Sequence, residues 1–193
     1  MPRLFSGLDI PSGVSQRLTM MRGGLPGARW IDEENYHLTL RFIGDIDDAL
    51  AQDIAHELDR IDRPPFRVCL DGLTTFGGNR PRAIIARAQP TPQLLALQAE
   101  HERAVRRAGA PAEPRKFVPH VTLARLRASN VMAVADYLSS CGLFEPQSFE
   151  VDRFVLYSSR ASTGGGPYIV EETYPLGSAN AQSEDDENWQ ASY

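Results

Sequence analysis

A histidine and a threonine two residues apart occur twice in the same frame. The copies are His37-Leu38-Thr39-Leu40 and His120-Val121-Thr122-Leu123, which start 83 residues apart and use half of the chain's four histidines. On a strand, side chains at i and i+2 point to the same face, so each copy offers an imidazole beside a hydroxyl. Imidazole takes or gives a proton near neutrality, since its ordinary pKa is about 6.5. A hydroxyl donates to a phosphate oxygen and rotates to fit. Two such pairs facing one ligand suit in-line displacement at phosphorus: a neutral histidine takes a proton from water, and a protonated one gives a proton to the departing oxygen. The threonines and a cation would hold the non-bridging oxygens. This scheme calls on no metal and no cofactor.

Two arginines compete for the cation's role. Arg41 follows His37 by four residues, so strict alternation puts it on the same face as the histidine. Arg125 follows His120 by five, which puts it on the opposite face unless the strand bulges or ends. The basic run Arg103, Arg106, Arg107, Arg115 and Lys116 reads as a mostly solvated face with room for one residue to line a nucleotide channel. His56 lies off the apolar stripe of its helix and reads as solvated. His101 lies on a stripe and reads as packed. No histidine pair has the i, i+4 spacing of a helical zinc site, and neither Cys69 nor Cys141 is near a histidine in sequence.

The elements that must position these motifs follow from periodicity. Strands are expected at Leu4 to Ile10, Tyr36 to Ile43, Phe66 to Leu73, Ala83 to Ala88, Val118 to Leu126, Ser148 to Tyr157 and Tyr168 to Tyr174, with a short extended piece at Ala28 to Ile31. Helices are expected after Pro11, over Asp47 to Arg60, after Pro92, and around Val131 to Leu138. Gly77-Gly78 and Gly164-Gly165-Gly166-Pro167 read as turns between strands. The order repeats: Phe66 and Phe149 each fall 29 residues after a motif histidine, and Pro11 and Pro92 open the helices upstream. This predicts an α+β fold, with two pseudo-symmetric lobes of antiparallel sheet and helices around a central cleft. Residues 1–177 form that single domain, and 178–193 read as an acidic disordered tail.

The formal charge is −5, but the tail holds four acidic residues and no Lys or Arg, so the body carries 20 basic against 21 acidic residues. A near-neutral body argues against wrapping a long nucleic acid, though not against a short or terminal nucleotide. Two cysteines without paired spacing predict a reducing compartment. Met1-Pro2-Arg3-Leu4-Phe5 leaves no room for a signal peptide, and no apolar run approaches a membrane span. A cytoplasmic monomer without a membrane is the expectation.

These motifs resemble the two-histidine (2H) phosphoesterase superfamily, in particular its RNA 2′,3′-cyclic phosphodiesterases, formerly called 2′–5′ RNA ligases. The resemblance rests on Arg3-Leu4-Phe5, Trp30, His37 through Gly44, Phe117 through Arg125, Leu156 through Ser159, and Gly166-Pro167-Tyr168 up to Pro175-Leu176. It spans about residues 3–176 and does not cover the tail. It implies metal-independent hydrolysis of RNA or nucleotide 2′,3′-cyclic phosphates to 2′-phosphates. It further implies His37 as proton donor to the leaving 3′ oxygen and His120 as the acceptor that activates water. Thr39 and Thr122 match phosphate-contacting positions. The family's cation matches Arg125 rather than Arg41, which requires the second strand to bend or end near Ala124. Two other readings stand beside it: reversible joining of 2′–5′ RNA ends, and a nucleotide-binding module without turnover.

Overall fold

The computed structural model describes residues 3–127, 130–142, 144–159 and 166–177. Met1 and Pro2, the glycines at 164 and 165 of the expected turn, and the acidic tail from Ser178 lie outside them. Among the described residues, nine strands and four helices follow in the order Arg3–Asp9 (β1), Ser12–Thr19 (α1), Ala28–Trp30 (β2), His37–Asp45 (β3), Asp48–Asp59 (α2), Phe66–Phe76 (β4), Ala83–Ala88 (β5), Pro92–Arg107 (α3), His120–Leu126 (β6), Val131–Ser140 (α4), Gln147–Val151 (β7), Arg153–Ser159 (β8) and Tyr168–Pro175 (β9). One turn of 3₁₀ helix, Glu33–Asn35, leads into β3.

The helices start where their caps demand. The side chains of Asp47, Thr91 and Asn130 accept backbone N–H groups in the first turns of α2, α3 and α4, relieving donors that have no partner inside the helix. Their apolar stripes face the sheet: Ile54 and Leu58 of α2, and Leu94, Leu97, Ala104 and Val105 of α3, are buried. Among the described residues, no helix is long and apolar enough to cross a membrane.

All strand pairs are antiparallel, and the order across the sheet is β7-β4-β5-β6-β3-β1-β8-β9, with β2 beside β6. On the β6 side of the β3–β6 contact lie β7, β4, β5 and β6 with β2, and on the other side β3, β1, β8 and β9. The sequence repeat and the sheet halves do not coincide. β4 and β5, which follow the first histidine motif, build the half that holds the second one. β8 and β9, which follow the second motif, flank β1 and β3. The expected strand Ser148 to Tyr157 is therefore two strands. It breaks at Asp152, whose carbonyl accepts from Leu176 N at 2.7 Å, so that β7 pairs with β4 while β8 crosses to β1.

The two central strands meet through one residue pair, Leu38 opposite Val121, both fully buried. Beside them, Gly7 of β1 lies against the Leu38 carbonyl, where a Cβ would sit 2.8 Å from that oxygen. A side chain at residue 7 would push β1 off β3 and disturb the strand that carries the first motif.

Candidate active site

The first six residues of β3 and of β6 share one burial pattern. His37 and Thr39 are half-buried, Leu38, Leu40 and Arg41 are buried, and Phe42 is exposed. His120 and Thr122 are half-buried, Val121, Leu123 and Ala124 are buried, and Arg125 is exposed. Two consecutive buried residues break strand alternation, and the ladders give the reason. Opposite β1, Ser6 pairs with Arg41 and Gly7 with Thr39, leaving Leu40 without a partner. Opposite β5, Ile84 pairs with Ala124 and Ile85 with Thr122, leaving Leu123 without one. Each strand thus carries a bulge at the leucine of its motif, and the bulge turns the residue five after the histidine toward the histidine's face.

His37, Thr39, His120, Thr122 and Arg125 consequently line one cleft of about 500 Å³, together with Asn35, Phe42, Phe76, Tyr168 and the segment Arg115 to Val118. Each histidine is tethered in the same way. His37 Nδ1 lies 2.8 Å from the carbonyl of Asn35, and His120 Nδ1 lies 2.7 Å from that of Val118. A carbonyl only accepts, so Nδ1 carries the hydrogen in both rings. That leaves Nε2, across the ring, as the nitrogen that exchanges a proton.

Arg41 is not in the cleft. The Leu40 bulge turns it to the opposite face, where it is 4% exposed. Its Nε lies 2.5 Å from Glu102 of α3, and its guanidinium also donates to the carbonyls of Phe42 and Pro111. Strict alternation placed it wrongly because the bulge has no mark in the sequence. Glu113, 3.7 Å from Arg41, holds Arg115 through two bonds of 2.8 and 3.0 Å, so the buried arginine braces the segment that overhangs the cleft. Of the remaining basic run, Arg103 and Arg107 are tied to Glu100 and Glu57 on the far side of the sheet, while Lys116 lines the cleft.

The profile of the 2′-5′ RNA ligase superfamily matches residues 11–163, which includes both histidine motifs. The chain belongs to this superfamily. It is 32% identical over 154 residues to an RNA 2′,3′-cyclic phosphodiesterase of Aquifex aeolicus, covering 77% of this chain and 82% of that protein. It is 31% identical over 181 residues to one of Thermotoga maritima, covering 87% and 92%. Among solved structures, Escherichia coli LigT complexed with 3′-AMP superposes with a TM-score of 0.73 at 25% identity, over 92% of this chain and 99% of that one.

In this member of the superfamily, burial sets the charge state of the empty site. His37 is packed against Phe5, Tyr168 and Tyr157 at ring distances of 4.8, 4.9 and 5.8 Å. That burial pushes its pKa down to about 4; the Asn35 carbonyl resists, and the charges of His120 and Arg125 add to the depression. His120, with Phe76 edge-on at 4.6 Å, is lowered by the same cause and by Arg125. Both shifts favour the neutral ring at pH 7.

Sequence reasoning missed four residues that complete the cleft: Asn35, Phe42, Phe76 and Tyr168. For Phe42 a signal existed, because it stands five residues after His37, as Arg125 stands after His120. Tyr168 stood within a stretch that carries the family resemblance; for Asn35 and Phe76 there was no signal.

Proposed function

We propose that the protein hydrolyses 2′,3′-cyclic phosphates of RNA ends or nucleotides to 2′-phosphates. The observation that carries this reading is the pair of tethered imidazoles, each beside a threonine, facing one cleft that also holds Arg125. The names of relatives more than 30% identical along most of their length support it.

The cyclic phosphate is an anion. Seated against Thr39, Thr122 and Arg125, it makes protonation of the neighbouring imidazole favourable and offsets the burial that otherwise keeps His37 neutral. His120 in its neutral form takes a proton from water through Nε2 as the water oxygen bonds to phosphorus. The bond from phosphorus to O3′ breaks, and His37 delivers its proton to that oxygen. The product keeps phosphate on O2′. Each proton transfer contributes roughly 10²–10⁴-fold in rate. The turnover leaves His120 protonated and His37 neutral, and exchange with solvent resets the pair. The exposed face of Phe42 offers a nucleobase an apolar surface beside the phosphate.

Replacement of either histidine by alanine tests the scheme. Each variant should lose about 10²–10⁴-fold in turnover of a 2′,3′-cyclic nucleotide measured in the presence of a chelator. Full activity of the His120→Ala variant sinks the acid–base pairing. Joining of 2′–5′ RNA ends is the same chemistry reversed; the near-neutral body, with 20 basic against 21 acidic residues, gives little hold on two RNA ends at once. The two cysteines are free, which fits a protein working in a reducing, cytoplasmic compartment.

A further inference from the structure

His37 borders two cavities. One is the cleft; the other, of about 440 Å³, lies on the far flank of the ring and is bounded by Asp9, Glu33, Tyr36 and Tyr157. Asn35, His37 and Tyr168 are the three residues common to both. Three aromatic rings pack on His37, but with a cavity bordering it on two sides, packing leaves the orientation of the ring to specific contacts.

Asn35 supplies them. It is 6% exposed and closes the 3₁₀ turn just before β3. Its backbone carbonyl receives His37 Nδ1 at 2.8 Å. Its side-chain Oδ1 accepts the backbone N–H of Tyr168 at 3.1 Å, across 133 residues of chain. Tyr168 in turn sets its ring edge-on to His37, at 4.9 Å and 84°. The space for this contact is reserved by the segment just before β9: a Cβ at Gly166 would lie 2.3 Å from Asn35 Cγ and Oδ1. His120 has the matching carbonyl, from Val118, but Val118 is 42% exposed and brings no such side chain.

We propose that Asn35 is a positioning residue for His37. Its carbonyl fixes the tautomer, and its amide clasps the start of β9 so that Tyr168 closes the far flank and keeps Nε2 toward the cleft. For the reaction, this inference rests on the proposed role of His37. Proton delivery to a leaving oxygen tolerates little misplacement, and an error of about 1 Å can cost on the order of 10²-fold.

The test uses Asn35→Ala, Asn35→Asp and Tyr168→Leu. The alanine variant should lose kcat on a 2′,3′-cyclic nucleotide by about 10–10²-fold, with KM changed far less. NMR of the His37 ring should show hydrogen on Nδ1 in both proteins, because the backbone carbonyl remains, and a shifted ring-proton signal in the variant, because the Tyr168 ring is released from its edge-on contact. Aspartate keeps an acceptor for Tyr168 N–H, so it should restore most of kcat, and its charge should move the alkaline limb of kcat to higher pH. A folded Asn35→Ala protein with native kcat and a native His37 ring-proton signal overturns the proposal, as does an aspartate variant no better than alanine. If the alanine variant does not fold, Tyr168→Leu decides: it keeps the backbone N–H and removes the ring, and unchanged kcat rejects the clasp. If the native protein does not turn over the cyclic nucleotide, the proposed function falls, and the His37 ring-proton signal of Asn35→Ala still judges the clasp.

Discussion

Phe42 and Arg125 occupy the same position of a duplicated motif, five residues after the histidine, and both line the cleft because each strand bulges at its motif leucine. The two halves of the site are alike in backbone and unlike in charge. The first presents an aromatic face, with the Arg115 guanidinium 5.8 Å from the ring centre, and the second presents an exposed cation. In the proposed reaction, Arg125 would meet charge on the phosphorus oxygens from the His120 side.

Arg125→Ala should lower kcat/KM for a cyclic nucleotide by about 10²–10³-fold, the range for removing one donor to a developing oxyanion. Arg125→Lys should recover part of it, because lysine keeps the charge and loses the forked geometry. Steady-state kinetics decide, and a loss below about threefold for the alanine variant would remove Arg125 from the phosphate site.

Arg41→Ala should act on stability instead. The substitution takes the cation from half-buried Glu102; breaking a fully buried pair from one side costs about 3–5 kcal/mol, and the partial exposure of Glu102 puts the loss below that range. A urea titration should show a lower midpoint. Unchanged stability together with a catalytic loss equal to that of Arg125→Ala would return Arg41 to the phosphate.

The pH profile follows from the neutral resting state. Burial pushes His37 down to about 4 and His120 below its ordinary 6.5. The profile of kcat/KM reports the free enzyme, so it should be a bell with both limbs below pH 6.5. The profile of kcat should extend to higher pH, because bound phosphate favours protonated His37. A kcat/KM bell centred above pH 7 contradicts this account of the site.

Stability should also fall in acid. His101 is fully buried, with Nδ1 at 2.8 Å from Ser6 Oγ, no partner for Nε2, and a pKa pushed down by burial to about 3. Its folded pKa lies below the unfolded one, so its contribution is complete above about pH 6.5 and drains as pH falls toward 3, at about 1.4 kcal/mol per unit. A Ser6→Ala/His101→Leu variant should lose less stability than the native protein between pH 7 and 4.5, measured by denaturant unfolding. Parallel losses would mean that His101 is not the titrating group.

Much of the site was legible because strand geometry is local. His37 with Thr39, and His120 with Thr122, share faces by spacing alone, and the apolar stripes of α2 and α3 pack as their periods require. Arg41 was not legible. Its placement depends on a bulge at Leu40, and nothing in Leu-Thr-Leu-Arg-Phe marks an extra residue in a ladder. The break at Asp152 was equally silent, since Phe149 to Tyr157 contains no glycine or proline to interrupt the run. The contact of Asn35 with Tyr168 joins residues 133 apart, a distance at which periodicity carries no information.

The central claim is that His120 sends water to phosphorus while His37 protonates O3′. Hydrolysis of adenosine 2′,3′-cyclic phosphate in oxygen-18 water with a chelator present, read by phosphorus NMR, tests it most directly. The account predicts adenosine 2′-phosphate alone, with one heavy oxygen on phosphorus. A 3′-phosphate product, or no turnover under these conditions, would contradict it.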